Sequence, residues 1–187
     1  DYLRQNNLEY SQKMFEVATQ HQIPIIYASS GAVYGNGEHG FDDQKSPEIY
    51  KPLNLYGRSK LEFDIWALKQ TKTPPKWFGF RYFNVYGPNE YHKGDMSSVV
   101  FKAYEQITRT GKLKLFRSHN PKYADGEQFR DFVYVKDITR WMLEVFNGQN
   151  FKSGIYNLGA GRARTWLDLA RNVFLNMHKT VSIDWID

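Results

Sequence analysis

Hydrophobic and polar positions follow a helical spacing in some segments of this chain and a strand-like spacing in others. The segment LEYSQKMFEVATQH has apolar residues one helical turn apart, which predicts a helix (Leu8, Met14, Phe15, Val17, Ala18). The next segment, IPIIYAS, is a continuous apolar run of strand length. Such a run is typical of a strand that a parallel sheet buries on both faces.

The same alternation continues to the end of the chain. A glycine-rich and polar connection leads to a helix that contains Tyr56, then to a strand KWFGFRYFNV and a turn YGPNEYHKGD. Further helices are predicted over MSSVVFKAYEQITRT, which Gly111 ends, over DITRWMLEVFNG, and over WLDLARNVFLNMH, which Thr165 caps. Further strands are predicted at KLKLF, FRDFVYV, SGIYNLGAG and VSIDWI. This alternation favours an α/β protein with a mainly parallel sheet.

Composition narrows the classes of function. The 187 residues, 41% of them hydrophobic, suffice for one large domain or for a domain with a small second lobe. No segment approaches the ~18 continuous apolar residues of a membrane span, and the first residues show no secretory signal, so a cytoplasmic protein without membrane contact is expected. The net charge of +5 comes from scattered Lys and Arg, which favours a small anionic ligand over nucleic acid. The chain has no Cys, and its five His show no ligand spacing, so no metal is expected.

The stretch NLYGRSK places Tyr56 and Lys60 one helical turn apart on one face. A nearby ammonium favours the phenolate, so this pair is a sensible acid and base. Ser29 and Ser30 follow the IPIIYA run and could supply a hydroxyl to a substrate oxygen. About one such Tyr–Lys pair is expected by chance in a chain of this composition, so spacing alone leaves a purely structural pair as an alternative.

Three motifs in a fixed order add to this pair. SSGAVYG after a strand, then YGRSK, then FRYFNVYGP resembles the extended short-chain dehydrogenase/reductase family, especially its nucleotide-sugar epimerases and dehydratases. The resemblance implies a Rossmann-type doubly wound sheet with a smaller substrate-binding lobe, and a nicotinamide dinucleotide as cofactor, NADP or NAD. It also implies that Ser30, Tyr56 and Lys60 are catalytic.

A finer resemblance is to the ADP-heptose 6-epimerases of that family, which serve lipopolysaccharide core synthesis. Its most specific element is YHKGDM, where Lys93 matches a second acid/base lysine. The resemblance further implies an ADP-sugar substrate and a homo-oligomer. The implied cofactor contacts are Asn6, Tyr56, Lys60, Val85 and Lys93. The implied substrate contacts are Ser30, Asn84, Asp95, Lys102, Phe116, Arg117, Ser118, His119 and Arg130.

This chain departs from the family pattern in several places. Asp95 and Lys102 stand where the family often has Ser and His, and the insertion HNPKYADGEQ lengthens the loop before Arg130. The glycine-rich dinucleotide fingerprint is absent. The chain is therefore expected to be a fragment that binds a dinucleotide poorly on its own, because the pyrophosphate lacks its helix N-terminus.

Two divisions of role remain predictions from this resemblance. Residues 1–88 are expected to be the remainder of the dinucleotide-binding domain. Residues 89–187 are expected to be mainly the substrate-binding lobe, with 130–162 returning to the Rossmann sheet.

Two alternatives to a 6-epimerase stay open: another nucleotide-sugar epimerase, such as a 4-epimerase that uses Tyr56 alone, and a non-catalytic nucleotide sensor on the same fold. A 4,6-dehydratase is disfavoured, because Gly31 and Ala32 follow Ser30 where those enzymes have an Asp-Glu pair.

Overall fold

The apolar runs and helical segments form α-helices and strands throughout residues 2–187, the part that the structure, a computed structural model, describes. The α-helices are α1 (Tyr10–Gln20), α2 (Leu55–Leu68), α3 (Val99–Thr110), α4 (Val135–Asn147) and α5 (Trp166–Asn176). The strands are β1 (Ile25–Ser30), β2 (Trp77–Tyr82), β3 (Asn84–Tyr86), β4 (Leu113–Phe116), β5 (Phe129–Tyr134), β6 (Gly154–Leu158), β7 (Ala163–Thr165) and β8 (Ile183–Ile186). A π-helical segment, Arg4–Glu9, runs directly into α1.

The chain forms two compact units. The first unit contains residues 1–83 and 141–158, and the second contains residues 84–140 and 159–187. Helix α4 contributes residues to both. The predicted division into a dinucleotide-binding part and a substrate-binding lobe concerns binding, so it stays a prediction.

A fully parallel sheet of order β1-β2-β6 forms the centre of the first unit. Strand β2 lies in the middle and is buried along almost its whole length, as expected of an apolar run in a parallel sheet. Helices α1 and α2 pack on this sheet through aromatic side chains; the Phe15 and Trp77 rings, for example, meet edge to face at 5.5 Å between centroids. Full burial of a side chain such as Phe15 stabilises the unit by roughly 1.5–3 kcal/mol.

The second unit contains two smaller sheets. Strands β3 and β5 pair parallel, and β7 pairs antiparallel with β5. Strands β4 and β8 pair parallel. Helices α3 and α5 share a core with this last pair, centred on the fully buried Ile107 and Phe174.

Several local predictions are confirmed, and one strand prediction is wrong in its extent. Gly111 ends α3 in the left-handed conformation (φ +73°), and Thr165 caps α5 in a reciprocal capping box with Asp168. The predicted single strand KWFGFRYFNV divides at Phe83 into β2 and β3, which belong to different sheets. Strand β7 was not predicted, because three residues are too few to show a period.

Candidate active site

The first turn of α2 places Tyr56 at the surface of the first unit. The Asn54 side chain caps this turn by accepting a hydrogen bond from the Gly57 N–H at 2.8 Å. A Cβ on Gly57 would lie 2.7 Å from the Ala32 carbonyl oxygen, so glycine allows the helix to approach the loop after β1. The Tyr56 side chain is 42% exposed, and its hydroxyl forms no hydrogen bond with any residue in the range 2–187. The phenol is therefore available to a ligand.

Lys60 lies one turn along the same helix face. Its Nζ donates a hydrogen bond to the Ala28 carbonyl oxygen of β1 at 2.9 Å and lies 5.9 Å from the centroid of the Tyr56 ring. Burial lowers the pKa of Lys60, and the nearby Asp64 carboxylate opposes that fall. The helical spacing thus brings an ammonium close to the phenol, as the sequence predicted.

Ser30 lies at the end of β1, half-buried. Its Oγ accepts a hydrogen bond from the Ala32 N–H at 3.1 Å and so caps the 3-10 turn Gly31–Tyr34. The hydroxyl hydrogen remains available to donate. Ser29, the other candidate from the sequence, is instead buried and donates to Asp64 Oδ2 at 2.9 Å. Of the two serines, only Ser30 has a side chain accessible to a ligand.

A buried polar network lies beneath these residues, and the sequence reasoning missed it. Asp64 and Arg81 are almost completely buried and form an ion pair at 2.9 Å between Oδ2 and Nε. Arg81 Nη1 donates to the Tyr34 hydroxyl at 3.0 Å, and that hydroxyl donates to Asn157 Oδ1 at 2.6 Å. Burial raises the pKa of the Asp64 carboxyl, while Arg81 and the hydrogen bonds that the carboxyl accepts oppose the rise. This network ties α2, which carries Lys60, to β1, which carries Ser30, and to the neighbouring strand β2.

Two signals in the sequence could have revealed the network. Asp64 is four residues after Lys60, on the same helix face. Arg81 interrupts an otherwise apolar and aromatic strand, and a charge in such a strand needs a buried partner.

Asn6 takes no part in the hydrogen bonds that this buried network makes with α2. It is exposed, and its side-chain amide donates to the Tyr2 carbonyl oxygen at 2.9 Å. Its neighbour Asn7 instead donates to Ser59 Oγ of α2 at 3.0 Å. The predicted cofactor contact of Asn6 stays a prediction.

The second unit carries the other predicted residues. Asn84 and Val85 of β3 line a cavity of about 150 Å³. The cavity is also lined by Tyr86, Ser97, Ser98, Val99, Val100 and Phe132. Lys93 and Asp95 lie in the loop between β3 and α3, and both are exposed. Lys102 Nζ donates to the Asp95 carbonyl oxygen at 2.6 Å, which connects α3 with this loop.

Phe116, Arg117, Ser118 and His119 follow one another at the end of β4. The Phe116 side chain is 65% exposed, and His119 is exposed as well. Asp125, from the insertion, accepts hydrogen bonds from Arg117 Nη1 at 2.7 Å and from the Ser118 N–H at 2.8 Å. The insertion therefore folds back on these predicted substrate contacts.

Arg130 lies on β5, exposed, with its guanidinium 5.7 Å from the centroid of the Trp166 ring. In the antiparallel pair of β5 and β7, the residue opposite Arg130 is Arg164. Like charges at opposed positions are unfavourable unless an anion or solvent compensates them. This second arginine was missed because the position of β7 was unknown.

Residues 2–187 contain neither a metal-binding cluster nor a membrane-spanning helix. Within residues 2–187, no group of three or more His, Asp or Glu side chains is arranged to hold a metal ion. Over the same residues, no helix has the length and apolar character needed to cross a membrane.

Comparison with protein families gives one match that spans most of the chain. The model of the NAD dependent epimerase/dehydratase family matches residues 1–159.

Curated relatives share nearly half of their aligned residues with this chain. A protein of Fusobacterium nucleatum named ADP-L-glycero-D-manno-heptose-6-epimerase is 49% identical over 173 residues, covering 91% of this chain and 52% of the relative. A Nitratidesulfovibrio vulgaris protein of the same name is 47% identical over 190 residues, covering 100% of this chain and 58% of the relative. The chain thus spans about half the length of the curated relatives it matches.

Solved structures show the same fold. The Helicobacter pylori ADP-L-glycero-D-manno-heptose-6-epimerase superposes with a TM-score of 0.81 at 31% identity, covering 97% of this chain and 55% of that one. The Thermus thermophilus UDP-glucose 4-epimerase, in complex with NAD, gives a TM-score of 0.74 at 25% identity, covering 95% and 56%. The predicted Rossmann-type α/β fold is confirmed.

Proposed function

Because the chain belongs to the NAD dependent epimerase/dehydratase family, we propose that the whole protein epimerises C6 of ADP-D-glycero-D-manno-heptose to ADP-L-glycero-D-manno-heptose, a step of lipopolysaccharide core synthesis. The observation that carries the proposal is the exposed Tyr56 phenol, whose ring centroid lies 5.9 Å from the Lys60 ammonium. The names of relatives at 47–49% identity support the choice of substrate. A cytoplasmic location and a homo-oligomer remain predictions of the same resemblance.

The residues of the first unit supply one acid/base group. Tyr56, as the phenolate that the charge of Lys60 stabilises, takes the proton from the C6 hydroxyl as that carbon is oxidised and becomes a neutral phenol. Ser30 donates a hydrogen bond to the sugar oxygen. The sugar passes through a 6-keto form, and its oxygen regains a proton when C6 is reduced on the opposite face.

Lys93 supplies the second acid/base group. Inverting C6 requires the keto sugar to present its other face, which moves the reacting oxygen to another side of the pocket. One side chain cannot reach both positions at hydrogen-bond distance. The exposed Lys93 amine, which forms no ion pair within residues 2–187, is suited to the second position. Asn84, Asp95, Lys102, Phe116, Arg117, Ser118, His119 and Arg130 are proposed to hold the ADP-sugar.

The side chains of the first unit fit a nicotinamide dinucleotide, NADP or NAD. Lys60 uses one of its three donors on Ala28, so two remain for ribose hydroxyls. Val85, Lys93 and Asn6 are proposed to complete the contacts. When bound, such a cofactor would supply reversible hydride transfer at C6.

Two other functions remain in competition. A 4-epimerase would use Tyr56 with Lys93 as a bystander, and the T. thermophilus structure shows that the fold supports a 4-epimerase. A non-catalytic nucleotide sensor would not need an acid/base pair. The presence of Ser30, Tyr56 and Lys60 together disfavours a sensor, because a sensor does not need a proton relay.

The test compares full-length wild type with Tyr56→Phe and Lys93→Met. Each protein is incubated with ADP-D-glycero-D-manno-heptose, and formation of the L-glycero epimer is followed by NMR. Both variants are expected to lose turnover by about 10²–10⁴-fold while keeping bound cofactor. Tyr10→Phe, an exposed tyrosine of α1, is the matched control and is expected to behave as wild type.

The possible outcomes separate the three functions. Normal turnover by Lys93→Met would exclude the second-base role, and absence of the epimer with wild type, together with turnover of a hexose nucleotide at C4, would favour a 4-epimerase. Thermal stabilisation of wild type by the ADP-sugar without any turnover would favour the sensor.

A further inference from the structure

A buried carboxylate lies under the loop that carries Lys93. Glu90 is only 5% exposed, although it follows directly on a surface turn. Its Oε1 accepts hydrogen bonds from the Gly87 N–H at 3.1 Å and from the Ser98 hydroxyl at 2.7 Å, and its Oε2 accepts from the Ser98 N–H at 2.5 Å. Within residues 2–187, Glu90 forms no ion pair. Because Glu90 is buried and has no paired cation, these three hydrogen bonds are the only direct interactions that offset the cost of burying its charge.

The two partners of Glu90 mark the two ends of the loop. Gly87 directly follows β3, with a φ of +150° and a position where a Cβ would lie 2.4 Å from Val135 Cγ1. Ser98 caps α3 by accepting a hydrogen bond from the Phe101 N–H at 3.2 Å. One carboxylate thus joins the end of a strand to the start of a helix.

Lys93 lies between these ends on a backbone that is itself ordered. The Lys93 N–H donates to the Glu90 carbonyl oxygen at 3.0 Å, and the Met96 N–H donates to the Lys93 carbonyl oxygen at 3.0 Å. Tyr91 and Met96 are nonetheless 77% and 85% exposed. The Tyr91 ring meets the Phe101 ring of α3 edge to face at 5.6 Å, and Lys102 Nζ donates to the Asp95 carbonyl oxygen. No residue from Tyr91 to Met96 is buried, so the polar contacts at the two ends of the loop contribute much of its order.

We propose that Glu90 is a positioning residue for Lys93: its carboxylate fixes both ends of the 87–98 loop and so fixes the backbone from which the Lys93 amine reaches the sugar. The catalytic half of this inference rests on the function proposed above. A glutamine at position 90 has only one oxygen, so its NH₂ group would face an N–H or O–H group of Gly87 or Ser98 that needs an acceptor. Glutamine, although it has the same shape, therefore cannot replace the carboxylate.

The first test measures the order of the loop without using activity. Full-length wild type, Glu90→Gln and Glu105→Gln are digested with limiting trypsin, and cleavage after Lys93 is timed by mass spectrometry. Cleavage after Lys122, an exposed residue in another loop of the same unit, is the internal reference. Glu105 lies on the exposed face of α3, so its variant removes the same charge without touching the loop. Glu90→Gln is expected to raise the rate after Lys93 about 10-fold relative to Lys122, and Glu105→Gln to leave it unchanged.

The second test measures turnover of ADP-D-glycero-D-manno-heptose by the same proteins. A misplaced acid/base group slows the chemical step, so Glu90→Gln is expected to lower kcat about 10–100-fold with a KM within about threefold of wild type. Ser98→Ala, which removes one of the three hydrogen bonds to Glu90 and the side-chain cap of α3, is expected to give a smaller change in both tests, and Ser98→Thr, which keeps both, to restore wild-type behaviour. This pair keeps the inference testable if Glu90→Gln fails to fold.

Each result decides one part of the inference. Equal cleavage after Lys93 in Glu90→Gln and Glu105→Gln overturns the positioning role. Faster cleavage with unchanged kcat overturns its link to catalysis. If wild type makes no epimer, the proposed function fails, while the cleavage comparison still decides whether Glu90 orders the loop.

Discussion

The two units hold their candidate residues in opposite ways. In the first unit, Lys60 and Ser30 lie above a buried ion pair, and each is fixed by a hydrogen bond to the main chain of its surroundings. In the second unit, Lys93 and Arg130 are exposed, and their side chains contact little that is buried. The first unit therefore resembles a preorganised acid/base centre, whereas the second carries exposed side chains that a ligand must order.

This difference suggests how an epimerase could divide its tasks. In the mechanism we propose, proton transfer by Tyr56 gains from fixed geometry, because small displacements of a reacting group are costly. The proposed binding of a flexible diphosphate sugar gains from long, exposed side chains such as Arg117. The contrast predicts that substitutions of the buried ion pair of the first unit will cost stability, whereas those of exposed side chains in the second unit will cost little.

The largest effect is expected from Asp64→Ala. Removing this carboxylate leaves Arg81 buried and unpaired, which typically costs about 3–5 kcal/mol. Urea unfolding of the full-length protein, followed by fluorescence, measures the loss. Asp64→Asn, which keeps the shape and an acceptor oxygen, should lose less, and a loss below about 1 kcal/mol for Asp64→Ala would break the contrast between the units.

The Tyr56–Lys60 pair and the Asp64–Arg81 pair together show what the sequence could and could not predict. The proximity of Tyr56 and Lys60 was predictable because they are four residues apart in one helix, and helical geometry alone brings them together. Their catalytic role stays a prediction. Asp64 and Arg81 are 17 residues apart on different elements, so only the packing of α2 on β2 reveals their contact.

The second unit was harder to predict for a related reason. Fixed local signals, such as Gly111 and Thr165, correctly placed helix ends because a single residue determines each cap. The role of Glu90 and the opposition of Arg130 and Arg164 depend on a loop closure and on a three-residue strand. Neither leaves a periodic pattern in the sequence.

Lys60→Met tests the electrostatic part of the first site. Loss of the ammonium is expected to lower kcat/KM by about 10²–10³-fold. Because a cation favours the phenolate, its removal weakens the base, and most of the loss should appear in kcat with a KM within about threefold of wild type. Lys72→Met, an exposed lysine of the same unit, is the control and should leave both constants unchanged. A raised KM with an unchanged kcat would reduce Lys60 to a binding role.

Glu90→Gln extends the comparison to the one buried carboxylate described in the second unit. Hydrogen bonds from Ser98 and Gly87, helped by the charge of Lys93, outweigh burial and hold the pKa of Glu90 below its ordinary value. A carboxylate with a lowered pKa stabilises the folded state above its ordinary pKa of about 4.3, and this contribution disappears as the pH falls through the folded value. Glu90→Gln should therefore lose about 1–3 kcal/mol at pH 7, and the difference from wild type should shrink below about pH 4. Urea unfolding at several pH values measures it, with Glu105→Gln as control; a difference that is constant with pH would contradict the ionic contribution.

The smallest effect is expected from Asp125→Asn in the insertion. This change removes the charge that pairs with Arg117 at 2.7 Å but keeps an oxygen that can accept from the Ser118 N–H. Half of the Arg117 side chain is exposed, so the pair contributes only about 0–1 kcal/mol, and about 1 M salt should remove most of that. Urea unfolding at low and high salt checks both statements. A loss above about 2 kcal/mol that persists in salt would mean that the insertion is as firmly held as the network under Tyr56, and its exposed side chains could then no longer be regarded as ones that a ligand must order.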